Sequence, residues 1–226
     1  LAGLAPRHAR PARIEAATVD TQGLEELLAL IKHHDANGYV QSLQQRLARQ
    51  GLQRFVQDIV APLTQRVGDA WEDGRFEVFE EHLFTELTKR VLRQAIAALP
   101  PGAGTPRVLL TSVPDEQHML GLLMVEALFA LEGGDCIPLG AQTPLIEISH
   151  AAEAHRVDIV TLSFSAAFPS RQIPDLLQQL RQLLAPNVGL WVGGLGAMRI
   201  APPSGVRQFS TLEEGLNALM EWRGTA

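Results

Sequence analysis

From about residue 18 to residue 99 the apolar side chains recur at steps of three and four, the spacing that lines one face of a helix. Leu24, Leu27, Leu28 and Ile31 mark a first short amphipathic helix, and after HHDANG a second carries Tyr39, Leu43 and Leu47. A longer stripe follows: Leu52, Phe55, Val56, Ile59, Val60, Leu63, Val67 and Trp71. Pro62 crosses it and should bend the helix or start a new one. A fourth stretch, from about Phe76 to Leu99, sets Phe79, Leu83, Leu87, Val91 and Ile96 along a face. Four such segments with short connections predict a four-helix bundle.

The prolines and glycines of ALPPGAGTPR, residues 98–107, end that pattern and predict a connector over 100–106. Beyond it the texture alternates. Strand-like runs at 108–112, 135–139, 158–163, 189–192 and 206–210 are separated by helical stretches near 117–132, 144–155, 170–184 and 212–223. That alternation predicts a doubly wound, five-stranded parallel sheet of the flavodoxin-like or Rossmann-like kind over 107–226. The fold class is thus all-α, over 18–99, followed by α/β. Residues 1–17, rich in Ala, Arg and Pro without apolar period, read as a linker from a further, preceding domain.

Composition narrows the partners. With 226 residues, 46% hydrophobic and 19% charged, the chain is long enough for two modest cores. A formal net charge of -6 gives the chain as a whole no attraction to phosphate backbones or anionic membranes. One cysteine, Cys136, rules out an internal disulfide framework and fits a reducing compartment, so a cytoplasmic location is expected. No apolar run approaches the roughly 20 residues of a membrane helix.

The chemistry concentrates where strands should end. In DEQHMLG, residues 115–121, extended backbone points residues two apart in the same direction, so Glu116 can reach one ring nitrogen of His118. The other nitrogen stays free for a metal. Gly121 removes a side chain where the next helix begins, allowing close approach. Ser163 and Ser165 close the third strand-like run, and Gly193 and Gly194 follow the fourth.

Glu116-x-His118-x-x-Gly121, then Ser163-x-Ser165, then Gly193-Gly194, resembles the cobalamin-binding signature of corrinoid enzymes and sensors. The resemblance implies that His118 is the lower ligand of cobalt, replacing the cofactor's own benzimidazole, with Glu116 behind it and Ser163 extending the hydrogen-bond relay. Gly193 and Gly194 would leave room for the displaced nucleotide tail. Ser165 stands where the usual pattern has leucine, which makes the tail pocket more polar.

Trp71, nine residues, then Glu81-His82 resembles the helical cap of the cobalamin-binding MerR-type transcriptional regulators of the light-responsive CarH and LitR group. That resemblance implies that Trp71 covers the upper ligand of adenosyl- or methylcobalamin and that Glu81 and His82 line the same cavity. It implies a non-enzymatic sensor that assembles as a homo-oligomer and meets DNA only through a domain upstream. The cofactor would bridge the halves and dock the bundle onto the sheet domain. Light-sensing members carry a histidine after the tryptophan, able to take the upper cobalt position; Glu72 is there instead, a harder donor. The alternatives are the corrinoid subunit of a methyltransferase and a regulator that keeps the fold without the cofactor.

Other candidates have plainer readings. His33 and His34 diverge by about 100° on a helix, so His33-His34-Asp35 reads as a helix end with Asp35 capping the next helix. His150 and His155 fall near a helix C-terminus. Cys136 reads as core. Ser163 lacks a G-x-S-x-G turn, and GGLGAM lacks the dinucleotide-binding spacing.

Overall fold

The computed structural model describes residues 21–102 and 104–225. Helices α1 (Thr21–Lys32), α2 (Ala36–Arg54), α3 (Ala61–Glu72) and α4 (Val78–Ala97) form the helical half. Asp35 caps α2 as expected, its carboxylate accepting from Gly38 N at 2.8 Å. Between α2 and α3 the chain departs from the expected stripe in two places. Gly51 leaves the helical region (φ 78°, ψ 165°) and kinks the end of α2. Residues Phe55–Val60 then widen into a π-helical turn directly ahead of Pro62. A proline lacks the N–H of the regular ladder and crowds the carbonyl four residues back, and the wider turn lets the helix pass it without breaking.

Strands β1 (Arg107–Thr111), β2 (Asp135–Gly140), β3 (Ile159–Ser163), β4 (Gly189–Gly193) and β5 (Val206–Gln208) form one parallel sheet in the order β2-β1-β3-β4-β5. Helices α5 (Leu120–Leu131) and α8 (Leu212–Thr225) pack on one face, α6 (Leu145–Ala154) and α7 (Ile173–Leu183) on the other. The period-two alternation of the strands feeds both faces: Val108 and Leu110 join the α5 side, Leu109 the α6–α7 side. In this strand order the chain changes direction between β1 and β3. Ligands of doubly wound sheets bind at that switch point, outside the carboxyl ends.

The cores do not follow the sequence boundary. Helix α5, LGLLMVEALFAL, is apolar nearly all round and buried on both sides, as expected of a central helix. One apolar cluster runs from Leu24, Tyr39, Phe55 and Leu92 of the helical half through Leu122, Met124 and Phe129 of α5 to Val108 and Trp191 of the sheet. The bundle thus packs on α5 through apolar side chains. A cofactor bridging the halves, the expectation from the sequence, would add its contacts to this shared core. Trp71 and Phe79 also depart from the periodicity that put them on the buried stripes; they are 47% and 56% exposed.

Candidate functional site

The loop from β1 to α5 holds the central histidine. Ser112, fully buried at the end of β1, donates to Glu116 O and accepts from Gln142 N at 2.9 Å, pinning the loop to the β2–α6 connection. Asp115 takes a left-handed backbone (φ 69°), a conformation aspartate tolerates better than most residues, and it turns the chain so that Glu116 points inward. Glu116 is buried. Its Oε1 accepts from His118 Nδ1 at 2.8 Å and from His118 N at 2.9 Å. Its Oε2 accepts from Ser165 N at 2.7 Å.

The electrostatics follow from this wiring. Burial pushes the Glu116 carboxyl up, but the bonds from His118 and Ser165 outweigh it and hold the carboxyl below the usual range. The bond to Glu116 raises the His118 pKa against the opposing effect of burial, with the charges of Glu116 and Glu81 adding to the rise. Nδ1 is thus committed to the carboxylate. Nε2 has no partner among the described residues and its ring is 59% exposed. Those residues hold no cluster of three or more His, Cys, Asp or Glu that could take a metal. His118 can give one bond, to a metal that brings its other ligands with it.

Around the switch point the small residues have distinct causes. A Cβ at Gly121 would meet Ser163 Oγ at 2.7 Å, so the glycine lets α5 start against the tip of β3. A Cβ at Gly194 would lie 2.3 Å from Phe164 O and 2.9 Å from Ser163 Oγ, and its φ is +90°. The fold itself demands that glycine. Gly193 is different: a Cβ there would meet only Phe209 O, at 3.7 Å. The space beside it is open to an outside group. Ser163 makes no hydrogen bond to Glu116; the relay expected of it is made by the Ser165 amide, because the chain turns after β3 and aims that N–H at the buried carboxylate. Ser165 Oγ is buried beside Glu116 and adds to the lowering of its pKa.

From the helical half, Trp71 ends α3 and Glu81 and His82 lie in the first turns of α4. Glu81 accepts from Thr85 Oγ1 at 2.8 Å and lies 3.6 Å from His82 Nε2. Its charge contributes to the rise in the His118 pKa. Trp71, Val78 and Phe79 stand exposed at the same end of the bundle.

Residues 24–96 and residues 106–200 each match a family described as B12 binding domain. The chain belongs to the B12-binding family. Cobalamin is its cofactor, and the residues present fit it: a free imidazole nitrogen at His118 and an open side at Gly193, both at the carboxyl end of the sheet. The chain is 31% identical over 173 residues to the HTH-type transcriptional repressor CarH of Myxococcus xanthus, across 76% of this chain and 58% of that protein. It spans little more than half of that relative's length. Its fold is similar to the Methanosarcina barkeri monomethylamine corrinoid protein, with a TM-score of 0.70 and 16% identity, covering 90% of this chain and 99% of the other. Among the described residues no helix is long and apolar enough to cross a membrane.

Two features were not singled out in the sequence. The Ser165 backbone amide carries no residue-type signal. Glu126 does: it is the one charged residue in LGLLMVEALFAL, and a lone charge in a buried helix marks a site.

Proposed function

We propose that this chain is the cobalamin-sensing module of a MerR-type transcriptional regulator. His118 Nε2 ligates cobalt from below, Glu116 fixes the ring and its tautomer, and Gly121, Ser163, Ser165, Gly193 and Gly194 border the slot for the nucleotide tail. Trp71, Glu81 and His82 close the cofactor from above. The observation that supports this reading is that buried Glu116 holds His118 Nδ1 and leaves Nε2 free beyond the sheet, in a chain whose helical and α/β halves each match a B12 binding domain. Bound cobalamin supplies a cobalt–carbon bond that light or chemistry can break. The protein's part is to orient the imidazole, exclude water beneath the corrin and hold an apolar lid, Trp71, over the upper ligand.

In this reading the cofactor adds contacts to an arrangement already packed through α5, and those added contacts select an oligomeric state. DNA is met by residues outside this chain, in keeping with its net charge of -6, and the chain catalyses nothing itself. Glu72 beside Trp71 removes the imidazole that would trap a photoproduct, so the upper ligand, not light, is the proposed signal. The test is the molar mass of the purified chain by light scattering, without cobalamin and with adenosyl-, methyl- or hydroxocobalamin, in darkness and after illumination. A mass that depends on the upper ligand supports the sensor. A cobalamin-loaded chain of constant mass that exchanges methyl groups with a partner enzyme would favour a methyl carrier instead.

A further inference from the structure

Beside the lower ligand loop, a cavity of about 260 Å3 opens between α4, α5 and the edge strand β2. It is lined by Leu110, Leu122 and Leu123, by Met119, which directly follows His118, and by Gly140 at the tip of β2. Two charged residues face it: Glu126 from α5 and Arg93 from α4. Glu126 is only 8% exposed, and its carboxylate has no hydrogen bond or ion pair among the described residues. The carboxyl opens onto the cavity and meets no donor there, so it presents an unused acceptor to whatever enters. Burial pushes its pKa up, and the Arg93 charge opposes this from across the cavity. Neither effect is needed for packing, since the surrounding helix is Leu, Met, Val and Ala.

The pair defines a chemical complement. Glu126 seeks a hydrogen-bond donor and Arg93 an acceptor, with apolar walls between them. A primary carboxamide on a short alkyl arm has all three parts: an NH2, a carbonyl oxygen and methylene groups. Met119 follows His118 in the chain and Gly140 ends β2, so the cavity reaches the carboxyl end of the sheet, the end that the His118 loop leaves. The corrin rim is fringed with acetamide and propionamide arms of this kind. We propose that the Glu126–Arg93 cavity grips one carboxamide arm of the corrin rim and thereby fixes the rotation of the ring about the cobalt–His118 axis. This rests on the reading of His118 as the lower ligand.

The test uses cobalamin monocarboxylic acids, the isomers in which a single rim carboxamide is hydrolysed to carboxylate, with affinity read from the visible spectrum. The chain binds all but one isomer about as well as intact cobalamin and binds that one about tenfold or more weakly, because two carboxylates then face each other. In Glu126→Gln that discrimination disappears. Arg93→Gln, at an exposed position that leaves the fold intact, sharpens it by removing the cation that attracts the acid. Equal ratios across all isomers in the wild type and both variants would overturn the inference. So would free propionamide raising the melting temperature of the cobalamin-loaded chain, which would make the cavity an independent site. Failure of His118 itself is seen separately, as a cobalt spectrum without a protein nitrogen; it removes this inference with the reading beneath it.

Discussion

Glu116 grips His118 twice through one oxygen, at the ring nitrogen Nδ1 (2.8 Å) and at the backbone N (2.9 Å). A carboxylate that holds both ends of a residue fixes its rotamer and its tautomer together. Replacing it by Glu116→Gln removes the charge and halves the accepting capacity. The His118 pKa then falls toward its ordinary value, read by NMR titration of the ring protons in the cobalamin-free chain. An unchanged titration would mean that Glu116 does not govern the ring.

The direction of the pKa shifts sets a pH dependence. His118 has a raised folded-state pKa, so its ionic contribution to stability is full below the unfolded value and is lost as pH rises through the folded one. Glu116 is shifted down, and its contribution is lost as pH falls through its folded-state pKa. Cobalt requires the unprotonated Nε2. Acidification through the His118 pKa therefore weakens cobalamin binding before Glu116 is protonated, and Glu116→Gln moves that midpoint to lower pH. Spectral titration of the loaded chain checks both.

The two adjacent glycines separate fold from ligand. Gly194→Ala forces a Cβ against Phe164 O at a left-handed φ and destabilises the chain by roughly 1–3 kcal/mol or more. Gly193→Ala meets only an ordinary contact and leaves urea unfolding within about 1 kcal/mol of the parent. It lowers cobalamin affinity by narrowing the tail slot. Equal effects of both substitutions on stability would contradict this division.

The cap is held by a separate device. Lys32 Nζ donates to Glu80 Oε2 at 2.8 Å and to Arg75 O at 2.9 Å, and Glu80 Oε2 accepts from Glu77 N at 2.8 Å. The end of α1 is thereby tied to the turn between Trp71 and Glu81. Glu80→Ala lowers the melting temperature more than Glu86→Ala, whose exposed carboxylate pairs with Lys89 on the same helix. Parallel thermal melts decide it.

The buried pair Tyr39 Oη and Thr88 Oγ1, 2.8 Å apart, fixes the bundle far from the cofactor. Burial raises the Tyr39 pKa, so the phenol stays protonated. Tyr39→Phe leaves the Thr88 hydroxyl without its partner and costs about 1–2 kcal/mol in urea unfolding, with the loaded spectrum unchanged.

Much of this was legible in the sequence because it depends on local patterns. The stripe at Leu24, Leu27, Leu28 and Ile31 needs only helical periodicity, and the reach from Glu116 to His118 needs only two residues of extended backbone. What stayed hidden depends on neighbours distant in the chain. Gly193 and Gly194 look alike until Phe164 and Phe209 are placed beside them. Trp71 and Phe79 fit the apolar period, yet they fall where the bundle ends and stand about half exposed. Ser165 binds Glu116 through its backbone, which no side-chain pattern records. Helix α5 could be read as apolar but not as shared, since its second partner lies across the connector.

The central claim is the bond between cobalt and His118. The most direct measurement is the electron paramagnetic resonance spectrum of the chain loaded with cob(II)alamin after its histidines have been labelled with nitrogen-15. A nitrogen-15 doublet on the cobalt lines, lost in His118→Ala, is the predicted result. A nitrogen-14 triplet from the cofactor's own benzimidazole, unaltered by that substitution, would contradict it.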